Sequence, residues 1–118
     1  MISAPRTTFD WSVTPTKVRT AVQRLIEVAA PRKLYLFGSF VRNEANIDSD
    51  LDVLVVVDDS VTAPRQESLR LRQALRGIHM PFDILVVPES FFNAHLDTPG
   101  LIYHEIVETG RLVYERAA

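Results

Sequence analysis

The sequence predicts an α/β domain in which helices sandwich one small sheet, and three observations carry that prediction. Short apolar runs, Lys33-Leu34-Tyr35-Leu36-Phe37, Leu51 to Val57 and Phe82 to Val87, alternate with stretches whose apolar residues recur at helical spacing. Gly, Pro or clustered Asn, Asp and Ser separate them, which is turn chemistry. A chain of 118 residues fits one domain with a modest core and leaves no room for separate catalytic and substrate domains.

Residues 1–13, with Pro5 and isolated Phe9 and Trp11, read as an N-terminal arm, so the domain is expected over 14–118. Thr14-Pro15 supplies an N-cap and a first-turn proline. Val18, Ala21, Val22, Leu25, Ile26 and Ala29 then form one helix face, and Pro31 ends the pattern. The Lys33 to Phe37 strand stops at Gly38, and a short helix is expected from about Ser39 to Glu44. Asn46-Ile47-Asp48-Ser49 is a turn, and the next strand ends at Asp58-Asp59-Ser60. A second long helix starts at Ala63-Pro64 with Leu71, Ala74, Leu75 and Ile78 as its buried stripe. After the strand closed by Pro88 come helices over about Glu89 to Leu96 and Gly100 to Thr109, the latter capped by Gly110, and a small last strand, Arg111 to Tyr114.

Composition narrows the classes. With 47% apolar and 24% charged residues the chain is neither disordered nor membrane-embedded. It lacks an apolar run of about 18 residues, and its first residues lack the apolar core of a secretory signal, so a cytoplasmic location is expected. There is no Cys, hence neither disulfide nor thiolate metal site, and no G-x-S-x-G nucleophile motif. A net charge of −2 gives no global attraction to nucleic acid, and direct nucleic-acid binding is not expected.

The chemistry concentrates at Gly38-Ser39 and at Asp50-Leu51-Asp52, ten residues later, opening the run Val53 to Val57. Asp is depleted in strands. Positions two apart share a strand face, which sets these carboxylates roughly 6–7 Å apart along the strand. At an effective dielectric near 20 they repel by roughly 2–3 kcal/mol, and a divalent cation turns that repulsion into attraction. Hard oxygen ligands suit Mg²⁺ bound through one or two carboxylates plus substrate phosphates. Gly38 lets a phosphate approach the backbone, Ser39 adds a hydroxyl donor, and Arg42 is within reach of the same anion. Asp83 opens the following apolar strand in the same way and joins the pair if the two strands are neighbours in matching register.

Gly38-Ser39, ten residues and Asp50-Leu51-Asp52 match the G-S-x10-D-x-D signature of the minimal nucleotidyltransferases of the DNA polymerase β-like superfamily, which this chain resembles over about residues 14–115. Arg42 matches the arginine of G-S-x-x-R, and Ser49 completes S-D-x-D. Asn43 stands where that family often has Gly. The resemblance implies a small mixed sheet flanked by helices, and a nucleoside triphosphate, ATP, bound with two Mg²⁺ ions. It implies Asp50, Asp52 and Asp83 as catalytic carboxylates and metal ligands, and Gly38, Ser39 and Arg42 as nucleotide-binding residues. It further implies a partner, a helical HEPN-family toxin, onto whose tyrosine the chain transfers AMP as an antitoxin.

Two other readings stand beside that one: an antitoxin or subunit that neutralises its partner by binding alone, and a small-molecule transferase resembling aminoglycoside nucleotidyltransferases. The simplest reading of Arg65, Arg70, Arg72 and Arg76 is a solvated helix face, and of Glu44, Asp58 and Asp59 solvated carboxylates. Asp48 fits an Asx-turn. His79, His95 and His104 lack ligand spacing, and Tyr103 and Tyr114 suit core or interface.

Overall fold

A computed structural model describes residues 12–43 and 50–117. The expectations placed on Phe9, Trp11, Glu44 and Asn46 to Ser49 lie outside the described residues.

The helix α1 (Pro15–Ala29) begins as its sequence dictates: Thr14 Oγ1 accepts the Lys17 N–H at 3.2 Å, and Pro15 needs no partner for a missing amide. It ends at Ala30, whose left-handed backbone precedes Pro31 and donates its N–H to the Ile26 carbonyl at 3.0 Å. The strands β1 (Lys33–Phe37) and β2 (Leu51–Val57) follow. Then come α2 (Pro64–Ala74), β3 (Phe82–Pro88), α3 (Glu89–His95), α4 (Ile102–Thr109) and β4 (Arg111–Glu115).

The four strands form one mixed sheet in the order β3-β2-β1-β4. β1 runs antiparallel to both neighbours, whereas β2 and β3 are parallel, a pairing that needs a crossover, here through α2. Strand alternation then sorts the core. Leu51, Val53, Val55 and Val57 face Val18, Ala21 and Leu25 of α1 and Leu71 of α2. Leu54 and Val56 face Phe92 of α3 and Ile106 of α4. Because helices cover both faces, β2 is a continuous apolar run, and Asp52 is its one residue that is not buried.

Three local expectations need correction. The segment after Gly38 is not a helix: Ser39 to Asn43 form turns, with one helix-like bond from the Arg42 N–H to the Gly38 carbonyl at 3.3 Å before Asn43 turns left-handed at φ 59°. α2 stops at Ala74, so Ile78 is buried from the following loop rather than from the helix. α4 starts at Ile102, two residues later than Gly100. Gly110 does cap α4, but with φ −84°; it is required because a Cβ would lie 2.5 Å from the Ile106 carbonyl and 2.8 Å from that of Leu36.

The acidic end of β2 is also more than solvated. Asp58 accepts from Arg32 at 2.7 Å and from the Ser60 N–H at 2.9 Å, and Asp59 accepts the Ser90 N–H at 3.0 Å. Tyr103 packs beside Phe92, and Tyr114 against the α1 side of the core. No helix among the described residues is long and apolar enough to cross a membrane.

Candidate active site

Topology alone gathers the acidic residues. The antiparallel pairing of β1 and β2 sets the C-terminal end of β1 beside the N-terminal end of β2, with Phe37 opposite Asp52. The parallel pairing of β2 and β3 brings their N-terminal ends together, with Asp52 opposite Asp83. Register partners point to the same face, so both carboxylates emerge on the α3/α4 side of one sheet edge. Asp50 lies just before β2, exposed and two residues from Asp52. The register condition set by the sequence for Asp83 is met.

Gly38 is held against this pair. Its φ of +83° is left-handed backbone that other residues resist, and a Cβ there would collide with Asp52 Oδ2 and lie 3.1 Å from Asp52 Cγ. Ser39 follows it in the turn. Asn43, which replaces the glycine common at that position, adopts left-handed backbone, as asparagine does more readily than most residues.

Burial raises the Asp52 carboxyl above the usual carboxylate range, and the neighbouring charges of Asp83 and Asp50 push it further in the same direction. The guanidinium of Arg42 opposes them. Arg42 therefore lies near Asp52. Arg72, assigned by sequence to a solvated stripe, also approaches the site: its Nη2 lies 3.9 Å from Asp83 Oδ1, and its Nη1 donates to the Phe82 carbonyl at 3.2 Å.

A cleft of about 230 Å³ opens here, lined by Phe37, Gly38, Arg42 and Asp52. α4 completes the lining through Ile102, Glu105, Ile106 and Thr109. These four residues went unnoticed in the sequence as site candidates. No local motif marks them; β4 pairs with β1, and that pairing draws the preceding α4 over the site.

Among the described residues, no three His, Cys, Asp or Glu side chains form a ready-made metal cage. The donor set still fits Mg²⁺, which takes hard oxygens and completes its shell with water and substrate phosphates rather than with protein alone. Asp52 and Asp83 side by side, with Asp50 near, are such an open set, and their mutual repulsion favours a cation between them. His95 and His104 are engaged elsewhere: the ring Nδ1 of His95 is 2.8 Å from the Phe91 carbonyl, and that of His104 is 3.0 Å from the Leu96 carbonyl.

A mixed sheet carrying a glycine turn and paired carboxylates at one edge is the architecture of a nucleotidyltransferase domain. The family model described as polymerase beta, nucleotidyltransferase matches residues 20–118, and the chain belongs to that family. Two solved structures share the fold. One is a protein from Sulfolobus solfataricus provisionally assigned as a nucleotidyltransferase, with 17% identity over 88% of this chain and 91% of that one, at a TM-score of 0.50. The other is a toxin–antitoxin structure with AMP-PNP, with 20% identity over 82% of this chain and 73% of that one, at a TM-score of 0.52. No curated protein matches the sequence.

Proposed function

We propose that this chain is an Mg²⁺-dependent antitoxin that transfers AMP from ATP to a tyrosine hydroxyl of a HEPN-type toxin. The observation that best supports the transfer chemistry is the register pairing of Asp52 with Asp83 beside Gly38. The toxin partner draws its support from the resemblance of the Gly38-Ser39 and Asp50-Leu51-Asp52 motif and from the fold shared with a toxin–antitoxin structure that holds an ATP analogue.

In this reading the backbone of Gly38 and Ser39 receives the β- and γ-phosphates, and Arg42 pairs with their oxygens. Asp50 and Asp52 hold Mg²⁺, with Asp83 completing the set. When bound, the metal supplies positive charge for the phosphoryl oxygens. Asp83, with 75% of its side chain exposed, takes the proton of the acceptor hydroxyl. The hydroxyl oxygen forms its bond to the α-phosphorus, the bond from that phosphorus to the pyrophosphate oxygen breaks, and pyrophosphate leaves. In this reading the acceptor hydroxyl belongs to the toxin chain.

Incubation with ATP, Mg²⁺ and a candidate HEPN protein encoded beside this chain, followed by intact mass measurement, tests the proposal. The toxin is expected to gain one AMP and lose its activity. Neutralisation without a mass change would replace transfer with binding alone.

A further inference from the structure

We propose that Glu105 is the sugar-reading residue of the cleft and makes this domain select ribonucleotides over deoxyribonucleotides; this rests on the nucleotidyltransferase reading above. Ile102, Glu105, Ile106 and Thr109 fall at helical spacing on one face of α4 and line the same cleft as Gly38, Arg42 and Asp52. Glu105 lies outside the metal-binding set Asp50, Asp52 and Asp83, and without a cation of its own a carboxylate repels polyphosphate. It suits a group that donates hydrogen bonds. An ionised carboxylate only accepts, and the vicinal hydroxyls of a ribose offer two donors.

The order of groups in a nucleoside triphosphate supports the assignment. With the β- and γ-phosphates at the Gly38 turn and the α-phosphate at Asp52, the next group along the molecule is the sugar, and the wall that remains is α4. Thr109, the other polar side chain there, donates its hydroxyl to the Glu105 carbonyl at 2.9 Å. The Glu105 carboxylate takes part in no such bond among the described residues, and its backbone is fixed by the N–H bond to the Leu101 carbonyl at 3.3 Å. Ile102, 43% exposed on the same face, gives the apolar side of the nucleoside a surface to rest on.

Calorimetric titration of ATP, 2′-deoxy-ATP and 2′,3′-dideoxy-ATP in Mg²⁺ into the wild type and Glu105→Ala tests this. Alanine is the best helix former, so α4 is retained, and circular dichroism verifies it. Since hydrogen bonds to charged groups are the stronger ones, the wild type is expected to prefer ATP over 2′-deoxy-ATP by roughly tenfold or more and over the dideoxy analogue by at least as much, and Glu105→Ala to bind all three alike. Equal binding of ATP and 2′-deoxy-ATP by the wild type would overturn the selection. Equal affinities in the wild type, or an undiminished preference in Glu105→Ala, would overturn the role of Glu105 and leave the transferase reading intact. Failure of the wild type to bind any of the three would overturn both.

Discussion

Asp52 and Asp83 are register partners on neighbouring parallel strands, so two carboxylates leave the same edge of the sheet on the same face. Asp52 interrupts an otherwise buried strand, and its carboxyl is raised first by burial and then by Asp83 and Asp50. A site that costs stability in the free protein is expected where a ligand supplies the missing charge.

The folded carboxyl of Asp52 lies above its ordinary value of 3.8, so the folded state holds the proton more tightly than the unfolded chain. Its ionisation removes stability as pH rises from 3.8 through the folded value, and the loss persists above it. Asp52→Asn is expected to melt higher than the wild type at neutral pH, and the gap should close at acid pH. A lower melting temperature for the variant at neutral pH would show the carboxylate to be structurally satisfied.

Asp58, at the other end of β2, has the opposite sign. The Ser60 N–H and the Arg32 guanidinium lower its carboxyl from 3.8 to about 2. Its contribution is present above 3.8 and is lost as pH falls toward about 2. Asp58→Ala is expected to lower the melting temperature at neutral pH, flatten the acid limb of the stability profile in that window, and leave ATP affinity unchanged. An acid limb identical to that of the wild type would remove Asp58 from the account.

Gly38→Ala combines two penalties: left-handed backbone and a Cβ driven into the Asp52 carboxylate. We expect a loss of about 1–3 kcal/mol in denaturant unfolding, together with loss of Mg²⁺-dependent ATP binding. A variant that binds MgATP normally would mean that the close approach of Gly38 to Asp52 has no part in the site.

Phe92 is fully buried between the sheet and α4, with its ring centroid 5.7 Å from that of Tyr35 and 6.1 Å from that of Tyr103. Phe92→Ala is expected to cost about 3–5 kcal/mol, read from the shift in denaturation midpoint. Because Ile106 packs in the same cluster, backbone amides of α4 should lose hydrogen-exchange protection with it.

The elements were legible because their signals are local. Thr14-Pro15, Pro64, Pro88 and the apolar runs each act within a few residues, and their boundaries agree with the structure to within one or two positions except after Ala74. Gly38, Asp50 and Asp52 were legible from their spacing. Asp83 was legible only as a condition, since a strand does not announce its neighbour or its register. Glu105 and Ile102 were not legible, because α4 reaches the cleft through the distant pairing of β4 with β1. The turn at Ser39 to Asn43 was misread as a helix: helical pattern says little over five residues, and Asn43 ends the turn after one helix-like bond. Asp58 and Asp59 read as solvated because two of their partners, Arg32 and the Ser90 N–H, are remote in sequence.

The proposed transfer depends on the carboxylates at the head of β2 binding a metal–nucleotide complex. Calorimetric titration of ATP into the wild type and into Asp50→Asn plus Asp52→Asn, each with Mg²⁺ and with EDTA, tests it most directly. ATP is expected to bind the wild type only in Mg²⁺ and not to bind the folded double variant. Equal ATP affinity in both proteins, unaffected by EDTA, would contradict it.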